Sequence, residues 1–321
     1  MKLGAGSSIA DIGELGLIDR IRQRMKVGGR GIKVGIGDDC CVLKDGTVIS
    51  IDSFVEGIHF DLGYFDYYSL GWRLMAAALS DLAAMAASPL VSLISLMLPS
   101  KMKIGSIDNF YRGAEKLAMR FNCPIGGGDT DSANRLVISI AVVGKTDKPK
   151  LRSAAQPGDL LYITGYPGLS EVGRLVLKKR WSTRRFISAI NKHLTPLPRI
   201  NEALRLKRSI KAMIDTSDGL STDACHIARE SRARVVIDWS KVPVHKEVRA
   251  FCSLFGLKIK DFIMAAGEDF ELLFTSRRGL PGRIGSLKLS QIGYITKGNG
   301  LFVKDGGKIQ KVNPTGYEHL R

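Results

Sequence analysis

The sequence predicts a two-domain chain, α+β or mixed α/β, with helices and strands mixed in each half, and three observations carry that prediction. At 321 residues the chain is about twice the length of a common domain of roughly 150 residues. Helical and strand patterns alternate along it instead of falling into separate blocks. Charge also divides it, since residues 1–148 hold 17 Lys and Arg against 16 Asp and Glu, whereas residues 149–321 hold 31 against 15. The expected boundary is therefore at 148/149, in the linker candidate GKTDKPK. With 45% hydrophobic and 25% charged residues, disorder and fibrous architectures are excluded.

Taken in order, residues 11–25 place Ile12, Leu15, Ile18, Ile21 and Met25 on one helical face. After the glycine-rich stretch VGGRGIKVGIGDD, CVLKDGTVISID reads as two strands about the Asp45-Gly46 turn, with Asp52 near a strand end. An alanine-rich helix over 68–87 stops at Ser88-Pro89 and feeds the strand VSLISLMLP. A helix over about 106–121, a glycine cluster at Gly126–Gly128 and the strand RLVISIAVVG repeat the unit. In the second half DLLYITG, KAMID, RVVIDW, ELLFT and LSQIGYIT read as strands. Helices begin near Ser170 and after Ser217-Asp218, the latter with Leu220, Ala224, Ile227 and Ala228 on one face.

Several function classes drop out on inspection. Cys40, Cys41, Cys123, Cys225 and Cys252 are odd in number and lack C-x-x-C spacing, against a disulfide framework or zinc site. Asp11 and Glu14 lie where a signal peptide needs an apolar run, so a cytoplasmic protein is expected. The uncharged stretch 82–100 divides into a helix end and a strand, and no membrane span is expected. Gly144–Thr146 spells the end of a P-loop, but the glycine needed five residues earlier is Ser139 and the intervening IAVV is a strand. GIGDDC at 35–40 lacks the last glycine of a dinucleotide fingerprint. The basic run Lys178, Lys179, Arg180, Arg184 and Arg185 reads as a solvated helix end, and no nucleic-acid partner is expected.

What remains is a set of aspartates at the ends of predicted elements: Asp38-Asp39, Asp52, Asp81, Asp129, Asp215 and Asp218. Any one of them serves equally as a cap or turn residue. Together they suggest convergence on one point, where their repulsion requires divalent cations, and Mg²⁺ holding a nucleoside triphosphate supplies that charge. Gly126–Gly128 before Asp129 permits either close phosphate approach or a tight loop. Ser217 and Asp218 stand at a helix start, a place for caps and for anions. His59 either faces a ligand or is packed, and Glu268-Asp269 either caps a strand or binds a cationic ligand.

Ten ordered segments then carry a resemblance spanning nearly the whole chain: GELGLIDRI, GIGDDCCVL, SIDSFVEGIHF, ALSDLAAMAASP, GGDTDS, RSAAQPGDLLYITGYPG, HLTPLPRI, IDTSDGLSTDACHIA, AGEDFELLFT and GYEHL. They resemble the thiamine-monophosphate kinase family of the aminoimidazole ribonucleotide synthetase-like superfamily. The resemblance implies that two-domain fold, with an N-terminal α/β domain (1–148) binding ATP and Mg²⁺ and pairing in a homodimer. A C-terminal α/β domain (149–321) would complete the site. It implies transfer of the ATP γ-phosphate to thiamine monophosphate. By the same resemblance Asp39, Asp52, Asp81, Asp129, Asp215 and Asp218 correspond to Mg²⁺ ligands. Gly127, Gly128, Arg152 and Ser217 correspond to nucleotide-binding positions, and His59, Glu268 and Tyr317 to substrate-binding ones.

The chain departs from the family at Ile51, usually threonine, at Ala266, at Asp131 and at Thr195. Alternatives are another ATP-dependent enzyme of the superfamily, or a non-catalytic nucleotide- or nucleic-acid-binding protein using the basic second half. A selenophosphate synthetase would be expected to carry a reactive cysteine near the N-terminus, and the earliest cysteines are Cys40 and Cys41, directly after Asp38-Asp39.

Overall fold

The computed structural model describes residues 8–25 and 31–317. Residues 27–30 of the glycine-rich stretch, and 318–320 of GYEHL, lie outside them. The first half runs α1 (Gly13–Arg24), β1 (Ile32–Val34), β2 (Cys41–Leu43), β3 (Thr47–Val55), α2 (Tyr67–Ala84), β4 (Ser88–Leu98), α3 (Ile104–Arg120), β5 (Ile125–Ser132) and β6 (Val137–Lys145). The second runs β7 (Leu160–Thr164), α4 (Leu169–Lys178), α5 (Ile187–Leu194), α6 (Ile200–Leu206), β8 (Ile210–Asp215), α7 (Leu220–Glu230), β9 (Arg234–Asp238), α8 (Lys246–Leu254) and α9 (Ile259–Ala265). It closes with β10 (Leu272–Ser276), β11 (Arg283–Ile284), β12 (Leu287–Thr296), β13 (Gly300–Asp305) and β14 (Lys308–Lys311).

One sheet has the order β1-β2-β3-β6-β4-β5 and the other β14-β13-β9-β12-β7-β10-β8, with β11 beside β12. Pairing is antiparallel except for β4 with β5 and β9 with β13. Both sheets are mixed with helices and neither closes into a barrel, in agreement with the expected class.

In the first sheet, strand alternation divides the side chains between two faces. Ile94, Ile140 and Val142 are fully buried against the helical layer, and Asp52, paired with Ile140, points the same way. The other face carries Ile49, Ile51, Leu93 and Met97, which are exposed. Asp66 caps the start of α2 by accepting the Ser69 amide at 2.8 Å. Further along, α2 crosses α3 at backbone contact distance, since a Cβ at Gly71 would stand 1.9 Å from the Phe110 carbonyl oxygen, and one at Gly113 1.9 Å from that of Tyr68.

One expectation meets a different outcome. Gly126–Gly128 belongs to edge strand β5 instead of a loop, and Gly128 lacks room for any Cβ, which would fall 1.7 Å from the Ile94 carbonyl oxygen. The linker candidate is tied down. Thr146 donates its hydroxyl to the Ala86 carbonyl, and buried Lys150 donates to that of Ile210 at 2.7 Å. One apolar core, joining Leu79 and Ile94 to Met213, Leu272 and Phe274, runs across that region.

Candidate phosphate and cation site

The site forms where α2 lies between the ends of the two sheets. Inner-face residues of β3, Ser50 and Asp52, meet Ser80 and Asp81 of α2 and Asp215 at the end of β8. Asp38 and Asp39 arrive on the turn after β1. Carboxylate oxygens of Asp39, Asp81 and Asp215 lie within 4.8 Å of one another. Ser50 donates its hydroxyl to Asp81, and Ser80 donates to Asp215 at 2.6 Å. Arg152, after the linker, clamps Asp39 with Nη2 at 2.7 Å and Nε at 3.3 Å, while its amide donates to Asp38.

Burial pushes Asp38, Asp52, Asp81 and Asp215 upward, and neighbouring carboxylates add to it at all but Asp52. Asp38 rises to about 7, chiefly by burial and then by the charge of Asp39. Asp215 also rises to about 7, by burial and by Asp39, and Asp52 to about 6 by burial. Asp81 goes well above the usual carboxylate range, by burial and by the charges of Asp52, Asp215 and Asp39. Five carboxyl groups, of Asp38, Asp39, Asp52, Asp81 and Asp215, face this nest against the one guanidinium of Arg152. That donor set suits a hard divalent cation of the Mg²⁺ type. Cys40 is buried beside it, and burial, then the charge of Asp81, raises its thiol well above the ordinary value.

A second layer comes from two loops zipped together by backbone hydrogen bonds. Thr216 donates to the Glu271 carbonyl, Phe270 to that of Thr216, and Glu268 to that of Ser217 at 2.7 Å. Gly267 permits this approach, since a Cβ there would be 2.4 Å from the Ser217 carbonyl oxygen, while Ala266 carries its Cβ in ordinary extended backbone. The SDG and GED segments are thereby side by side. Asp218 sits between Asp215 and buried Asp223, whose pKa it raises after burial.

The three acids of GEDFE have separate jobs. Glu268 lies 2.7 Å from the guanidinium of Arg73. Asp269 accepts the amides of Gly168 at 2.5 Å and Ser170 at 2.9 Å, so it caps the start of α4. Glu271 accepts Lys192 and both prongs of Arg199, which hold it down at about 2 despite burial.

Of the residues singled out in the sequence, Asp39, Asp52, Asp81, Asp215 and Arg152 share the nest, and Ser217, Asp218 and Glu268 adjoin it through the zipped loops. Tyr317 is drawn to the same place by its amide, which donates to the Asp218 carbonyl at 2.9 Å. His59 follows β3, and its Nδ1 accepts the Val55 amide at 3.0 Å, so Nε2 carries the proton in the neutral ring.

Asp129 is the exception to convergence. It pairs in register with Ser95 on the exposed face of the sheet, opposite to Asp52, with Gly127 and Gly128 before it on the same edge strand. Ile51 also lies on that outer face, so no side chain at position 51 points at the inner nest. Asp131 accepts the Ser132 amide at 2.7 Å, and Thr195 donates to the Asn191 carbonyl at 3.1 Å, both local turns. Ser50, Ser80, Arg73 and Asp223 were not singled out beforehand. The adjacent pair Ser80-Asp81 and the i, i+2 pair Ser50/Asp52 are the signals in the sequence, and only the fold reveals that Ser50 serves Asp81 and Ser80 serves Asp215.

Comparisons with known proteins show which family and fold the chain resembles. The sequence model of the family described as AIR synthase related protein, N-terminal domain, matches residues 37–146. The thiamine-monophosphate kinase of Aquifex aeolicus is 31% identical over 97% of this chain and 99% of its own length. That of Escherichia coli strain K12 is 32% identical over 96% and 98%. A solved structure of AaThiL complexed with AMPPCP and TMP superposes with a TM-score of 0.87 at 30% identity, covering 98% of this chain and 100% of that one.

Proposed function

Because the chain belongs to the thiamine-monophosphate kinase family and is a kinase, we propose that it transfers the γ-phosphate of ATP to thiamine monophosphate in one in-line step dependent on Mg²⁺. The observation that carries the reading is the Asp39, Asp81 and Asp215 group beside Arg152. Phosphoryl transfer demands little covalent chemistry of a protein, so no nucleophilic side chain is required of this nest. The acceptor is an ionised phosphate, and the obstacle is bringing two anions together, not removing a proton.

In this reading Asp39, Asp52, Asp81, Asp215 and Asp218 would hold Mg²⁺, which would supply the positive charge that phosphoryl transfer between two anions needs. Asp129, a cation ligand by the family resemblance, lies on the other face of the sheet. Ser50 and Ser80 orient Asp81 and Asp215 by donating to them, which leaves the remaining carboxylate lone pairs directed at a cation. Arg152 fixes Asp39 and adds positive charge near the phosphates. Gly127, Gly128 and Ser217 contact the nucleotide, and His59, Glu268 and Tyr317 the thiamine moiety, with Glu268 matching its cationic ring. We assign residues 1–148 and 149–321 to two domains that share this site, the first pairing in a cytoplasmic homodimer. AMPPCP, an ATP analogue, and TMP in the related structure support the choice of both substrates. No described helix is long and apolar enough to cross a membrane.

The test is ADP release with thiamine monophosphate and with free thiamine, each with and without Mg²⁺. Turnover of the monophosphate alone, lost in EDTA, is expected. Turnover of free thiamine, or none with the monophosphate, overturns the assignment.

A further inference from the structure

Arg73 is a buried charge that the chemistry above leaves unused. It stands on α2 eight residues before Asp81, and only 2% of its side chain is exposed. A guanidinium so far from water must be matched by partners of its own. Nη1 donates to the His193 carbonyl. Nη2 lies 2.7 Å from Glu268 Oε2, in a charge contact that is not an aligned hydrogen bond. The rings of Phe65 and Phe270 flank the group, with centroids at 5.9 and 5.4 Å.

Glu268 itself is held unusually. Its φ is 58° and that of Phe270 is 48°, left-handed conformations that side chains other than glycine seldom adopt and that persist where surrounding structure imposes them. The Glu268 amide is tied to Ser217, yet 38% of its side chain remains exposed. A carboxylate open to solvent on strained backbone has several orientations to choose from. The buried cation behind it selects one.

We propose that Arg73 is a positioning residue for the substrate: it holds the Glu268 carboxylate in a single orientation, so that a cationic ring meets an acceptor already in place. The inference rests on the assignment of Glu268 to thiamine monophosphate. Arginine suits the task better than lysine, because its fork spans the His193 carbonyl and the Glu268 carboxylate together. A role limited to neutralising charge predicts the opposite sign, since removing Arg73 would then strengthen attraction for a cation.

Steady-state kinetics with both substrates, beside melting curves, separate these cases for Glu268→Gln, Arg73→Met, Arg73→Lys and the Arg73→Met/Glu268→Gln pair. Glu268→Gln is expected to raise the KM for thiamine monophosphate by about 10-fold with the KM for ATP within about twofold. Arg73→Met should do the same, and the double variant should be no worse than the worse single one, because one residue acts through the other. The double variant should also melt above Glu268→Gln, which leaves a buried guanidinium without its carboxylate.

An unchanged or lowered KM for thiamine monophosphate in Arg73→Met, or effects that multiply in the double variant, overturns the inference. If Arg73→Met fails to fold, Arg73→Lys decides. It keeps the charge but cannot span both partners, so a raised KM supports positioning and an unchanged one overturns it. An unchanged KM in Glu268→Gln removes the premise and overturns both readings, whereas an effect there with none at Arg73 overturns only the role of Arg73.

Discussion

Asp52 illustrates how a single residue couples stability to function. Burial raises its carboxyl to about 6, and those of Asp38 and Asp215 to about 7, against about 3.9 in an unfolded chain. The folded state therefore binds more protons than the unfolded one between these values, and their stabilising contribution is lost as pH rises from about 4 through 7. In EDTA the melting temperature should fall between pH 5 and pH 7.5, and saturating Mg²⁺ with an ATP analogue should flatten or reverse that slope. A metal-free profile rising over the same range would contradict the sign. Asp52→Asn removes one of the buried charges, so the metal-free protein should melt higher by roughly 1–3 °C, while activity falls at least about 100-fold and Mg²⁺ with nucleotide stabilises it less. The aspartates were legible in the sequence because acids recur at predicted element ends. Their division was not: the faces of Asp52 and Asp129 follow from strand register, which depends on which strands pair, and no local pattern records that.

At the level of elements, α2 is the part on which the site depends. It carries Arg73, Ser80 and Asp81, and its crossing with α3 relies on Gly71 and Gly113 standing where a Cβ would strike a carbonyl oxygen. Gly113→Ala should cost about 3 kcal/mol by forcing the helices apart and should lower kcat/KM well below its melting temperature, since the shift moves Asp81. Asp66→Ala is the contrasting change. It removes an N-cap worth about 1 kcal/mol at the far end of the same helix, so the melting temperature should drop with kinetics unaltered. The helix was readable from its alanines and from Ser88-Pro89, and the hairpin of β2 and β3 from Asp45-Gly46. Strand β5 was not, because three consecutive glycines signal a loop, and only the fold reveals that the β4 backbone passes too close to Gly128 for any side chain there. The short helices α5, α6, α8 and α9, with seven to nine residues each, offer too few turns to impose a period.

For the molecule as a whole, the outer face of the first sheet is the unresolved surface. Its rows run Ile49-Val143-Val91, Ile51-Ala141-Leu93 and Val55-Val137-Met97, interrupted by Ser53-Ser139-Ser95 and bordered by Asp129 and Asp131 on β5. Ile51 is 67% exposed and no described helix covers the sheet on this side. Contiguous apolar patches of this kind on soluble chains mark association surfaces, and a second copy of the same sheet is the partner we propose. Such pairing is isologous, so one substitution appears twice across the twofold axis. Ile51→Glu together with Leu93→Glu would then bury four carboxylates without partners, more than a dimer interface of ordinary size tolerates. Light scattering on the eluting protein should give the mass of two chains for the unaltered protein and of one for the variant, with the melting curve still cooperative. Activity sharpens the reading, because Asp129 and the paired glycines lie at the rim of this face while Asp39, Asp81 and Asp215 lie behind it. A monomeric variant that keeps full turnover would make pairing incidental to catalysis; one that folds, binds an ATP analogue poorly and turns over slowly would place the rim residues in a site that two chains complete.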